Sequence, residues 1–256
     1  MTQFRPEMLE YLPRFKSALA DDIGDWVVKG FIDTYHNIYT ISVDTKVISK
    51  LIELMLFPLI TDFAFQNNYE LHLAEHQNYY PDITFIAGNG EKIAFDLKST
   101  YRASSTRASG FTLGTFTGYF RKRDSTKFIS FPYREYSQHF VLGIIYSRST
   151  ISIDESRVYK LDQLRSIHSV AHDFVFLLQE KWRIAKDGPG SGNTKNIGSI
   201  NNIEDLVNGN GPFANEGEQV FDHYWMNYLN NEMARAIDSK VPYRNLREYW
   251  HWRNGN

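Results

Sequence analysis

The sequence predicts an α/β protein in which a central mixed β-sheet is flanked by helices. Three observations carry that expectation. An apolar repeat of helical period runs from Val47 to about Phe65. Two short strand-like runs, 82–86 and 92–98, stand either side of a Gly88-Asn89-Gly90 turn. An apolar stretch over 138–147 reads as a buried strand.

Residues 1–26 read as a helix with Met8, Leu9, Leu12, Phe15, Leu19 and Ile23 on its apolar side. Residues 27–43, rich in Val, Ile, Tyr and Thr, read as strand. Asp44 opens the next helix, since an N-cap carboxylate accepts hydrogen bonds from free backbone N–H groups. Val47, Ile48, Leu51, Ile52 and Met55 then fall on one face, with Lys46, Ser49, Lys50 and Glu53 on the other. Pro58 is expected to bend or interrupt this helix. Residues 111–120 fit either helix or strand. Residues 170–186 read as strand-like, in two apolar runs around Phe174-Val175-Phe176-Leu177 and Trp182-Arg183-Ile184-Ala185. Residues 188–199, dense in Gly, Ser, Asn and Thr, read as a loop, and 216–253 as helical and aromatic. With no internal repeat, 1–256 reads as a single domain.

Hydrophobic residues at 42% and charged residues at 23% fit a soluble globular chain and argue against a disordered or fibrous one. No cysteine is present, which excludes disulfides, thiolate zinc sites and thiol nucleophiles and fits a reducing cytoplasm. No signal peptide is expected behind Arg5 and Glu7, and no stretch approaches the roughly 18 apolar residues of a membrane span. The net charge of −2 gives no whole-chain attraction to nucleic acid. Locally the balance differs. Between Lys98 and Arg134, eight cations (Lys98, Arg102, Arg107, Arg121, Lys122, Arg123, Lys127, Arg134) face one anion, Asp124, a stripe able to meet phosphates or simply to be solvated.

The chemistry centres on Pro81-Asp82 and, with thirteen residues between, Asp96-Leu97-Lys98. Side chains two apart on a strand share a face, so Asp96 and Lys98 point together. If the hairpin pairs the two runs, Asp82 lies beside Asp96. Two close carboxylates call for a cation between them, and Mg2+ is the usual one, since it takes oxygen ligands and keeps water. Lys98 is then placed to orient or deprotonate that water, the combination phosphodiester hydrolysis needs. Glu53 is a candidate third carboxylate. Asp-x-Lys on a strand is common, so the hairpin rather than the tripeptide gives the motif its weight. Other constellations are weaker. His72/His76 and His168/His172 lack a zinc-binding His-Glu-x-x-His, there is no Gly-x-Ser-x-Gly elbow, and the run from Gly188 to Lys195 lacks a nucleotide P-loop ending.

Taken together, Asp44-Thr45-Lys46-Val47, Gln77 through Asp82, Ala94 through Lys98, Phe111 through Gly114, Leu178 through Trp182, Gly190 through Ile200 and Tyr224-Trp225 resemble the EcoRV family of type II restriction endonucleases. Gly190–Ile200 is the most specific of these segments. The resemblance implies a restriction-endonuclease-like fold in a U-shaped homodimer, a catalytic core over 44–130, a recognition loop over 188–200, and dimer contacts from about 27–43 and 150–160. It implies that Asp82, Asp96 and Glu53 hold metal and that Lys98 is catalytic. It puts Gln77 and Asn78 in the minor groove. Gly190, Ser191, Gly192, Asn193, Thr194, Lys195 and Asn196 form the major-groove loop, and Thr45, Lys46, Thr100, Thr112 and Lys127 meet phosphates. The implied activity is Mg2+-dependent cleavage of double-stranded DNA within GATATC, to blunt ends with 5′-phosphates, in a cell protected by a companion methyltransferase. Lys195 departs from the family's threonine, and 230–240 matches poorly. Two alternatives remain: a structure-selective repair or recombination nuclease with the same metal core, and a sequence-specific DNA-binding protein that does not cleave.

Overall fold

The computed structural model describes residues 3–190 and 195–255. It is an α/β fold with a central mixed sheet and flanking helices. In order come α1 (Phe4–Leu19), β1 (Gly30–Ile32), β2 (Asn37–Thr40), α2 (Thr45–Gln66), β3 (Glu70–Leu73), β4 (Ile83–Ile86), β5 (Lys92–Tyr101), β6 (Thr112–Thr115), β7 (Tyr136–Arg148), β8 (Val158–Lys160) and β9 (Ala171–Glu180). Then follow α3 (Lys181–Ile184), β10 (Ala185–Pro189), β11 (Asn196–Ser199), α4 (Ile203–Asn208), α5 (Glu218–Asn227), α6 (Asn231–Ala236) and α7 (Leu246–Gly255). The large sheet has the order β3-β4-β5-β7-β9, and two small sheets have the orders β1-β2-β8 and β10-β11-β6. The chain divides into two compact units, one of residues 1–68, 97–109 and 143–178, the other of 69–96, 110–142 and 179–256.

In the first unit, Asp44 caps α2 as expected, its side chain accepting from Lys46 N and Val47 N. The buried stripe of α2 is Ile48, Ile52, Leu56, Ile60 and Phe63, close to one residue per turn. It packs on α1, where Phe4 and Tyr11 meet Phe63 edge-on at 5.6 and 5.1 Å. Pro58 does not interrupt α2. It and Leu54, one turn earlier, are exposed, so water can satisfy the carbonyl that loses its proline-side donor. The N-terminal helix is shorter than expected. Asp21 Oδ1 accepts from the N–H groups of Ile23 and Asp25, which turns the chain, and Ile23 is left exposed rather than on an apolar helix face. Residues 27–43 are two strands rather than one. Asp33 Oδ1 takes the N–H groups of Tyr35 and Asn37 in the turn between β1 and β2. On one face of β1-β2-β8 the register sets Phe31, Tyr39 and Val158 side by side, all exposed, while Ile32 is exposed on the opposite face.

In the second unit, β3 and β4 pair antiparallel, as do β4 and β5. The turn lies where expected: Gly90 has φ +84° and donates to Ala87 O at 2.8 Å. The edge strand β3 escapes sequence reading because Glu-Leu-His-Leu is too short and too evenly exposed to show alternation. Residues 111–120 resolve into β6 and a 3-10 turn at Gly118–Phe120. The stretch 188–199 is not all loop, since Pro189 ends β10 and Asn196–Ser199 form β11. Those small residues serve close packing: a Cβ on Gly198 would lie 2.7 Å from Lys186 Cε and 3.0 Å from Gly190 Cα. Trp182-Arg183-Ile184 form a helical turn between β9 and β10 rather than more strand. The C-terminal part is helical and aromatic as expected, with Tyr224 at the centre of a ring cluster that includes Trp225, Tyr243 and Tyr249.

Candidate active site

The β4–β5 register pairs Ile83 with Phe95 and so sets Asp82 opposite Asp96. The two are joined directly: Asp82 N donates to Asp96 Oδ1 at 3.1 Å. Asp96 is buried, with 4% exposure, while Asp82 is half-buried at the mouth of the strand pair. A carboxylate that accepts a backbone N–H has one negative group partly satisfied by the fold and keeps oxygen lone pairs for a further partner.

Packing fixes the residue just before Pro81-Asp82. Tyr80 is buried, its hydroxyl lies 2.7 Å from His139 Nδ1, and its ring stacks on Tyr119 at 5.3 Å. His139 in turn stacks on Tyr133 at 4.3 Å. Burial, with Lys181 and Arg123 adding to it, holds His139 well below the ordinary imidazole range, so the ring is neutral. Lys181 Nζ stands 4.7 Å from the centre of the Tyr80 ring. Sequence reading missed Tyr80, His139 and Lys181. The available sign was a histidine, His139, set within the apolar run of β7, where burial costs too much unless the neighbours are arranged for it.

Lys98 follows Asp96 by two positions on β5 and is half-buried in the first unit. The next residue, Ser99, is tied to α2 by a 2.7 Å hydrogen bond between its hydroxyl and that of Ser49. Glu53 sits one turn beyond Ser49 on the same side of α2, half-buried and ion-paired with Lys50 at 2.9 Å. Among the described residues, no group of three or more histidines and carboxylates converges to hold a metal. The Asp82–Asp96 pair still suits a hard cation such as magnesium, which takes one or two carboxylates and leaves its other positions to water and phosphate.

The other expected contacts are spread over the surface. Gln77 and Asn78 are exposed in a turn closed by Tyr79 N donating to His76 O. Thr45 opens α2, and Lys46, Thr112 and Lys127 are exposed. Thr100 is buried at 7% exposure, which withholds its side chain from a phosphate in this conformation. Gly190 N donates to Asn196 O at 2.7 Å, closing the base of the β10–β11 hairpin, and Lys195 is exposed beside it. Ser191, Gly192, Asn193 and Thr194 lie outside the described residues.

A family model described as Restriction endonuclease EcoRV matches residues 22–254. The chain is 36% identical over 239 residues to the type II restriction enzyme EcoRV of Escherichia coli, an alignment covering 92% of this chain and 94% of that one. Among solved structures, the NlaIV restriction endonuclease aligns over 96% of this chain and 95% of its own with a TM-score of 0.41 and 10% identity.

Proposed function

Since the chain belongs to the EcoRV restriction endonuclease family, we propose that it cuts double-stranded DNA at GATATC in a magnesium-dependent reaction, leaving blunt ends and 5′-phosphates. It is a type II site-specific deoxyribonuclease. The observation that carries the finer reading is the cross-strand pair: Asp82 N–H on the buried Asp96 carboxylate, with Lys98 two residues along the same strand.

Asp82 and Asp96 are the residues that would hold the metal, with Glu53 as an accessory carboxylate. When bound, magnesium supplies Lewis-acid stabilisation of the phosphoryl oxygens and a water of lowered pKa. Asp96, buried and anchored by a backbone donor, keeps its orientation without reorganising during the reaction. Lys98 adds a positive charge on the same face of β5, where it orients the attacking water and offsets charge developing on phosphorus. Tyr80, His139 and Lys181 act further back, by holding the backbone that presents Asp82.

Sequence is read elsewhere. Gly190, Ser191, Gly192, Asn193, Thr194, Lys195 and Asn196 enter the major groove, where glycines permit close approach and an asparagine amide matches the N6/N7 edge of adenine. Gln77 and Asn78 contact the minor groove, and Thr45, Lys46, Thr112 and Lys127 meet phosphates. A palindrome calls for a two-fold protein, and the exposed apolar surface of β1-β2-β8 supports a homodimer through that sheet. The enzyme works in the cytoplasm beside a protective methyltransferase. Plasmid digestion with and without magnesium, followed by sequencing of the ends, tests the reading. Wild type gives blunt cuts at GATATC in magnesium alone, and Lys98→Ala gives none while remaining folded. Cutting at an unrelated site, or in the absence of metal, would refute it.

A further inference from the structure

Phe128, in the second unit, is unusual on two counts. It is a large apolar side chain left 45% exposed, and its backbone has φ +60°. A phenylalanine in that left-handed region is strained, because its Cβ crowds the following carbonyl. The main chain around it is firmly held. Phe128 O accepts the Tyr80 N–H at 3.1 Å, Ile129 bridges Tyr80 in parallel, and Ser130 N donates to Tyr80 O at 2.9 Å. The ring itself turns outward. It meets Tyr79 in a T-shaped contact at 6.1 Å, and Tyr79 meets His76 in another at 4.9 Å. Lys127 Nζ stands 5.3 Å from the centre of the Phe128 ring. The exposed Gln77 and Asn78 lie in the turn between His76 and Tyr79.

The clasp on Tyr80 uses only main-chain groups of residues 128–130, and glycine or asparagine would supply φ +60° with less strain. The fold therefore does not call for the ring. Backbone strain of this kind gathers at binding sites, where the side chain has work outside the core. The company of the ring says what it meets. Two side-chain amides suit the base-edge acceptors of a minor groove, and an ammonium group suits the phosphates beside it. An apolar ring among them is the remaining part of a minor-groove contact, where aromatic wedges press on base steps. We propose that Phe128, braced by Tyr79, is a specificity-determining residue, which presses its ring on a base step in the minor groove beside the bases faced by Gln77 and Asn78. The proposal rests on the reading of the chain as a DNA-cleaving enzyme. It makes cleavage depend on base pairs flanking the site. Pyrimidine–purine steps such as TA and CA/TG unstack most easily, so flanks that carry them are cut faster than stiff ones.

The test is single-turnover cleavage in magnesium of a duplex library whose base pairs on both sides of the cut site are randomised, with cut and uncut fractions sequenced. Wild type should cut its fastest flanks on the order of fivefold faster than its slowest, with pyrimidine–purine steps among the fastest. Phe128→Asn tolerates the left-handed backbone, so it should keep the clasp on Tyr80 and melt about 2–4 °C above wild type. Its rates on the different flanks should converge, at an unchanged cut site. Phe128→Tyr retains the ring and should keep the wild-type order of flanks. The slope of log affinity against log salt, measured by fluorescence anisotropy in metal-free buffer, should be the same in Phe128→Asn as in wild type, since no phosphate contact is lost. Phe128→Gly, equally free at positive φ, repeats the comparison if the asparagine variant melts early. A folded Phe128→Asn or Phe128→Gly with the flank preference of wild type overturns the proposal. So does a wild type indifferent to its flanks, a Phe128→Tyr as indifferent as Phe128→Asn, or a salt slope lowered by about 0.9 in Phe128→Asn, which would put the effect on a phosphate contact instead. Wild type that cuts no duplex at all would refute the proposed function itself.

Discussion

Replacing Asp96 by Asn and by Ala separates its two roles. Asparagine is nearly isosteric and keeps an oxygen able to accept the Asp82 N–H, which lies 3.1 Å from Asp96 Oδ1. Alanine removes that acceptor. Leaving a buried backbone donor unsatisfied costs about 1–3 kcal/mol, and because Asp82 is half-buried the lower part of that range applies. For a chain of this size, about 1 kcal/mol moves Tm by roughly 2–4 °C. Asp96→Ala should therefore melt roughly 2–8 °C below Asp96→Asn, while Asp96→Asn stays close to wild type. Cleavage should fall in both by about 10³-fold or more, since neither supplies the charged oxygen that acts only in the reaction. The assays are thermal melting followed by circular dichroism, and single-turnover plasmid cleavage in magnesium. An Asp96→Asn variant that keeps a tenth of wild-type cleavage would refute the catalytic assignment. Equal melting of the two variants would refute the structural role given to the hydrogen bond.

Asn193→Ala should lose cleavage at GATATC by a large factor yet bind nonspecific duplex normally; ends sequenced from a random-site library, together with salt-dependent binding, check this, and undiminished cutting at GATATC counts against it. Val158→Asp, on the exposed surface of β1-β2-β8, should shift the protein from dimer to monomer in sedimentation velocity without lowering its helix content; a dimer of unaltered stability would remove that sheet from the interface. Burial, with Asp222 and Glu180 adding repulsion, raises the Glu218 carboxyl to about 7 against the opposing pull of Arg123 and Lys181. The folded chain then keeps a proton that the unfolded chain releases near its ordinary value of 4.5, so this group's contribution is full below that pH and is lost as pH rises through 7. The Tm of wild type relative to Glu218→Gln should accordingly fall between pH 4.5 and 7, and a difference that is flat with pH would show that Glu218 titrates normally.

The hairpin was readable because its determinants are local. Gly88-Asn89-Gly90 fixes the turn, and the turn fixes the register that sets Asp82 opposite Asp96. Asp44 as N-cap was readable for the same reason. What sequence reading missed depends on distant partners. Ile23 continues an apolar spacing, but Asp21 competes for the backbone and ends the helix first. Pro58 looked like a breaker because its surroundings on α2 were not known. The packing around Tyr80 brings together residues 119, 133, 139 and 181, which no spacing rule connects.

The segment joining β10 to β11 springs from a sheet of its own. Its base is sealed by Gly190 and Asn196, and β11 is pinned on its other side to β6, where Phe116 N and Thr115 Oγ1 both donate to Lys195 O. Asp82 and Asp96 stand on the five-stranded sheet instead. Among the described residues, the ladder that holds these anchors is that of β10-β11-β6, and it shares no strand with the ladder of the carboxylate pair. A lineage can drift there, trying new residues on a fixed pedestal, and keep a working cutting centre at every step. Gly198 is the exception, because a side chain there would run into the backbone of Gly190 across the hairpin, which makes it the least free position beside this segment.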